Sequence, residues 1–127
     1  MEWLFVALGG SLGALSRFGV DRAVTAALGP GVLATFLVNI AGSFALGVFV
    51  AVELDRPTLP QAARPFLAAG FLASFTTFST LTVASIQLIG DGQVARASAN
   101  LLGSIAVGLA AALAGVVAGR ELWAQGG

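Results

Sequence analysis

From Ala23 to Val52 the chain carries no charged side chain, and two further charge-free stretches run from Pro65 to Gly90 and from Ala97 to Gly119. A helix needs roughly 20 consecutive apolar residues to cross the hydrocarbon of a bilayer. The stretch from Trp3 to Leu28 is also apolar, with Arg17, Asp21 and Arg22 near its far end. Gly29-Pro30-Gly31 separates it from the next apolar stretch, because no helix passes unbroken through such a turn. The gaps in charge thus predict four membrane helices, over about 3–28, 32–52, 65–90 and 97–119. Between them lie a polar, proline-rich segment from Glu53 to Arg64 and a short polar connection from Asp91 to Arg96.

Charged residues make up 9% of the chain and hydrophobic ones 57%. A soluble domain carries roughly 25% charged residues to keep its surface wet. The expected fold class is therefore an all-α integral membrane domain spanning residues 1–127, with the lipid bilayer as its solvent. A soluble bundle would need polar helix faces that the chain lacks. No basic region or small-residue cleavage site precedes the first apolar run, which reads as a retained helix and not a leader. The absence of Cys and His removes the usual zinc, iron and copper ligands. A net charge of zero offers nothing to attract nucleic acid.

Four spans place both termini on one side, with Trp3 and Trp123 at the interface that indole rings prefer. Cationic loop residues decide which side is cytoplasmic. Arg56, Arg64 and Arg120 lie on one side and Arg17, Arg22 and Arg96 on the other, with no lysine to break the tie. Two readings fit: the chain inserts both ways and pairs as an antiparallel dimer, or the tie is accidental and one orientation dominates. Small-xxx-small pairs (Gly9 and Gly13, Ser43 and Gly47, Ser104 and Gly108, Gly115 and Gly119) predict close helix packing.

Polar residues inside a membrane are the first functional candidates. Here they are Arg17, Asn39, Ser43, Asn100, Ser104 and the run Ser74-Phe75-Thr76-Thr77-Phe78-Ser79-Thr80. No carboxylate falls deep in a span, so neither proton-coupled transport nor hydrolysis has an obvious titrating group. Hydroxyls and amides remain, and these can replace water around a small anion without carrying charge. Five hydroxyls in the seven positions from Ser74 to Thr80 weaken a helix. Two outcomes fit: a broken helix, of the kind that builds ion sites when buried in protein, or hydroxyls bonding back to i−4 carbonyls and only bending it.

The segment GFLASFTTFSTL (Gly70 to Leu81) resembles the GFCGGLTTFSTF segment of the bacterial fluoride channels called Fluc or CrcB. GGSLGALSRF (Gly9 to Phe18) and TFLVNIAGSFALG (Thr35 to Gly47) agree with the same family. The resemblance covers the chain in length, span count and motif order. It implies an antiparallel dual-topology homodimer in the bacterial inner membrane that lets fluoride leave the cell passively, and no enzymatic activity. It also implies a broken third helix and a structural sodium ion held by backbone carbonyls, here those of Ala73 and Thr76. By position, Asn39, Phe78, Ser79, Thr80 and Ser104 match fluoride-pathway residues, and Arg17 matches a vestibule arginine. Phe75 is an extra aromatic one turn before Phe78. A ring edge is positive and can face a desolvated anion.

The chain departs from the family at four positions. Ala73 and Ser74 replace paired glycines, which would cost about 1–2 kcal/mol if either needed a left-handed backbone. Leu81 stands where a second phenylalanine belongs, and Gly108 where a second helix-four hydroxyl belongs. Other readings are a subunit of a heteromeric channel, a small dual-topology multidrug exporter, and a non-conducting structural membrane protein. The exporters carry a glutamate in the middle of helix one, where this chain has Leu8 to Ala14 and no acid.

Overall fold

The structure is a computed structural model that describes residues 2–55, 60–61 and 63–126. The side chains of residues 54, 55, 79 and 123–126 fall outside that description, as does Arg56, so the interfacial reading of Trp123 is not addressed by it. The described residues are helical, with no strand among them. Helix α1 covers Glu2–Leu28 and α2 covers Leu33–Asp55. A π-helical segment, Pro65–Leu72, runs into the short α3, Ala73–Phe75. Then follow α4, Phe78–Gly90, and α5, Val94–Gly126. Four stretches are long and apolar enough to cross a membrane: Glu2–Leu28, Leu33–Glu53, Pro65–Gly90 and Val94–Leu122.

The helices overrun the charge-free gaps. Helix α5 begins at Val94 instead of Ala97 and continues past Gly119, so Arg96, Arg120 and Glu121 are helical. The connection before it shrinks to Asp91, Gly92 and Gln93, with Gly92 at φ 78°. Long charged side chains lie along a helix end and keep their heads wet, so a charge marks the edge of the hydrocarbon and not the end of the helix. Arg96 shows this: it is exposed, and its Nη1 donates to Gln93 Oε1 at 3.3 Å. At the other end of the bundle α2 extends to Asp55. Glu53, expected at the start of a loop, is helical and buried, and its carboxylate pairs with Arg64 Nε at 3.4 Å. A buried carboxylate needs such a cation.

Two helix pairings dominate the packing: α2 lies along α5, and α1 lies along the π-helical segment and α3. Helices in lipid gain contact by approaching backbone to backbone. A Cβ at Gly47 would overlap the Ala112 carbonyl, and one at Gly115 would overlap that of Phe44. On the other pair, a Cβ at Gly9 would overlap the Phe66 carbonyl and one at Gly13 that of Phe71. Large apolar side chains point outward along the spans, including Leu15, Ile86 and Leu109. Few residues of each span are buried within the single chain.

Candidate functional site

Helical dihedrals stop at Thr76 (φ −86°, ψ 156°) and Thr77 (φ −151°, ψ 117°) and resume at Phe78. The two threonines behave differently. Thr76 still follows the preceding helix: its N–H and its Oγ1 both donate to Leu72 O at 3.1 Å. Thr77 caps the next one: its Oγ1 accepts from Thr80 N–H at 3.3 Å and donates to Thr80 Oγ1 at 3.1 Å. An extended pair inside a span strands backbone groups that a bilayer cannot hydrate. Side chains from other helices take them up. The Asn39 amide spans the Thr77 backbone, with Nδ2 donating to Thr77 O at 3.0 Å and Oδ1 accepting from Thr77 N–H at 2.7 Å. Arg17 Nε donates to Ser74 O at 3.1 Å.

These substitutions redirect the helical donors. In an unbroken helix the N–H of Thr77 would close on Ala73 O, and that of Thr80 on Thr76 O. Here Thr77 N–H goes to Asn39 and Thr80 N–H to Thr77 Oγ1, which releases the Ala73 and Thr76 carbonyls from those partners. Among the described residues no three His, Cys, Asp or Glu side chains gather as a metal site. The Ala73 and Thr76 carbonyls are neutral oxygen donors, of a kind that could hold a hard ion.

Two clefts flank Thr77. One, of about 280 Å³, is lined by Asn39, Ser43, Ala73, Thr76, Phe78 and Leu81 among others, and none of its lining residues titrates. The other, of about 130 Å³, opens beside Arg17, Asp21, Thr35 and Thr80. The candidates from the sequence therefore divide. Asn39, Ala73, Thr76 and Phe78 share the first cleft; Arg17 and Thr80 share the second. Phe78 is 74% exposed, with its ring available to whatever covers that face. Phe75 lines neither cleft and stacks on Phe71 with centroids 5.8 Å apart. Ser104 is buried on α5 and lines neither, and its Oγ has no hydrogen-bond partner among the described residues. The Ser79 side chain lies outside the described residues.

The departures from the glycine pair cost little. Ala73 is right-handed helical (φ −64°, ψ −34°), and no described non-glycine residue has positive φ, so the left-handed penalty does not arise at Ala73 or Ser74. A Cβ built on Gly10 would stand 3.2 Å from Ser74 Oγ, so the absence of a side chain on α1 makes room for Ser74. Gly42 does the same on α2, where a Cβ would overlap Thr76 Cγ2. Leu81 is 5% exposed, at the floor of the larger cleft.

Two contributors go unrecognised from sequence, and a third stands out only as one member of the hydroxyl run. Thr35 is buried one turn before Asn39 on the same face of α2, a spacing that could have found it. Ser85 is 1% exposed, donating to Leu81 O at 2.8 Å and accepting from Asn100 Nδ2 at 2.9 Å, and so ties α4 to α5. No local signal separates Ser85 from any other lone serine. Thr77, the member of the run, lines both clefts and carries the interruption's hydrogen bonds.

Residues 4–116 match the family described as CrcB-like protein, Camphor Resistance (CrcB). Among curated relatives, "Fluoride-specific ion channel FluC" of Paracoccus denitrificans is 42% identical over 123 residues, covering 96% of this chain and 97% of the relative. The protein of the same name from Nitrobacter winogradskyi is 38% identical over 120 residues, covering 91% and 95%. That from Thermus thermophilus is 40% identical over 122 residues, covering 95% and 97%. With four membrane-length helices and relatives matched nearly end to end, the chain is a multi-pass membrane protein of the CrcB-like family.

Proposed function

We propose that this chain is a fluoride-selective ion channel and not an enzyme, conducting fluoride passively out of the cell across the bacterial inner membrane. The observation that carries the reading is the larger cleft: an interrupted span braced by a neutral amide, beside hydroxyls and an exposed phenylalanine, with no titrating side chain in its lining. The names of the relatives supply the ion. An amide or hydroxyl donates to a bare halide without holding it so tightly that it cannot leave. The edge of the Phe78 ring adds a positive rim of the same kind. Arg17 lines the second cleft, where an anion would enter, and is the cation facing it there, with Asp21 on the same lining.

The conducting unit in this reading is an antiparallel homodimer. The balanced arginines permit both insertions, and the outward apolar faces of the single chain leave surface for a second copy. In this reading the interruptions of the two copies meet at the two-fold axis. The carbonyls of Ala73 and Thr76 from each would then hold a structural sodium ion, which offsets the dipoles gathered there. The test is fluoride efflux from liposomes containing only the purified chain, followed with a fluoride electrode. Efflux of fluoride and not chloride is expected. If the chain alone fails to conduct but does so with a second homologous subunit, the homodimer is wrong and the heteromeric reading replaces it.

A further inference from the structure

The carbonyls at the interruption are not equivalent. Ser74 O accepts from Arg17 Nε at 3.1 Å and Thr77 O accepts from Asn39 Nδ2 at 3.0 Å, while Ala73 O and Thr76 O lose their helical donors. The group that makes the first of these assignments comes from α1, a different helix, held unusually close. Gly10, Gly13 and Arg17 recur at i, i+3 and i+7 and so share one face of α1. A Cβ at Gly13 would overlap the Phe71 carbonyl, and one at Gly10 would stand 3.2 Å from Ser74 Oγ. The backbone approach at the two glycines is what lets the guanidinium reach into the interruption.

We infer that Arg17 is a positioning residue for the central cation site: by holding Ser74 O it keeps that carbonyl out of the set that the sodium reading draws from Ala73 O and Thr76 O. The inference rests on the sodium reading above and adds to it the residue that decides which oxygens the ion meets. A carbonyl already bonded to a guanidinium is a poor ligand for a second cation, because the two positive charges would share one oxygen and repel. The size of the site then follows from α1: with Ser74 O withheld, the set is small and suits sodium; with Ser74 O released, a further oxygen can turn inward and the set can accept a larger ion.

The experiment measures the unfolding midpoint of the purified full chain as sodium chloride or potassium chloride is raised, since an ion that binds only the folded state stabilises it by mass action. Wild type is expected to respond to sodium at lower concentration than to potassium. In Arg17→Gln the half-saturating potassium concentration should fall roughly tenfold toward that of sodium, because a further oxygen is released and a neighbouring positive charge is gone, so the preference for sodium should collapse. Arg17→Lys, which keeps a cationic donor, should recover part of the preference. Gly10→Ala, which presses on Ser74, should shift the midpoint in the direction of Arg17→Gln by less, and it carries the test if Arg17→Gln does not fold. Arg22→Gln is the control. Arg22 is a cation on the same helix, 5.6 Å from the Phe18 ring centroid, and its loss should leave the responses to both ions unchanged. If Arg22→Gln shifts the potassium response as much as Arg17→Gln, or if Arg17→Gln keeps the wild-type preference for sodium over potassium, the inference is overturned and the sodium site stands. If wild type shows no sodium response at all, the sodium reading fails and takes the inference with it.

Discussion

The α2–α5 pair and the α1–π-segment pair use the same device and arrive at different chemistry. Both bring backbones together over glycines, Gly47 and Gly115 in the first, Gly9 and Gly13 in the second. In the first, both helices are continuous, so their backbone groups are satisfied within each helix and the interface needs only shape. In the second, the span passes through eight residues of π-helix and then gives way at Thr76 and Thr77. Lipid offers no water to finish those bonds, so Asn39, Arg17 and the Thr77 hydroxyl finish them. An interruption therefore recruits polar side chains into a span, and in the proposed function those side chains, with the carbonyls they leave over, are what would meet an ion.

The sharpest way to break this contrast is Asn39→Ala. It strands both the N–H and the C=O of Thr77, at about 1–3 kcal/mol for each buried unsatisfied group. Loss of fluoride efflux together with a drop in thermal stability is expected; stability unchanged within error would mean that the interruption does not depend on Asn39. Gly115→Ala tests the continuous pair. The new Cβ meets the Phe44 carbonyl, and overpacking of this kind costs about 1–3 kcal/mol. Stability should fall while ion selectivity in the surviving protein stays as in wild type, because this interface contributes shape alone.

Leu81→Phe sits between the two effects. The residue is buried at the floor of the larger cleft, so the ring must turn into that space beside Phe78 or strain the packing. Fluoride efflux is expected to rise, read by electrode from liposomes, and an unchanged rate would remove the second aromatic edge from the account. Gly108→Ser should do least. The nearest atoms to a Cβ there, Ile40 Cδ1 and Ser43 Oγ, are 3.9 Å away, an ordinary contact, so the melting temperature should move by no more than about 0.5 kcal/mol allows.

Much of this is legible in the sequence, and the rest is hidden for identifiable causes. Charge gaps mark hydrocarbon, which is why the four spans are readable from Ala23, Pro65 and Ala97 onward. Helix ends obey backbone hydrogen bonding instead, so Val94, Asp55 and Gly126 lie beyond the charges expected to stop them. The π-helical turn over Pro65–Leu72 leaves no trace in PFLAAGFL, because a side chain favours helix without distinguishing an i−4 from an i−5 partner. Asn39 stands out as an amide in a charge-free span, yet its partner lies 38 residues away and is set by how α2 docks against the interruption. Ser85 meets Asn100 across two helices for the same reason and does not stand out at all.

The central claim is that neutral donors, and no titrating side chain, carry the anion through the interrupted span. It is tested most directly by fluoride flux through reconstituted protein at fixed membrane voltage, measured with and without a pH difference between the two sides. Neutral donors predict the same fluoride flux in both conditions. A flux that appears only when protons can move down a gradient would contradict the account.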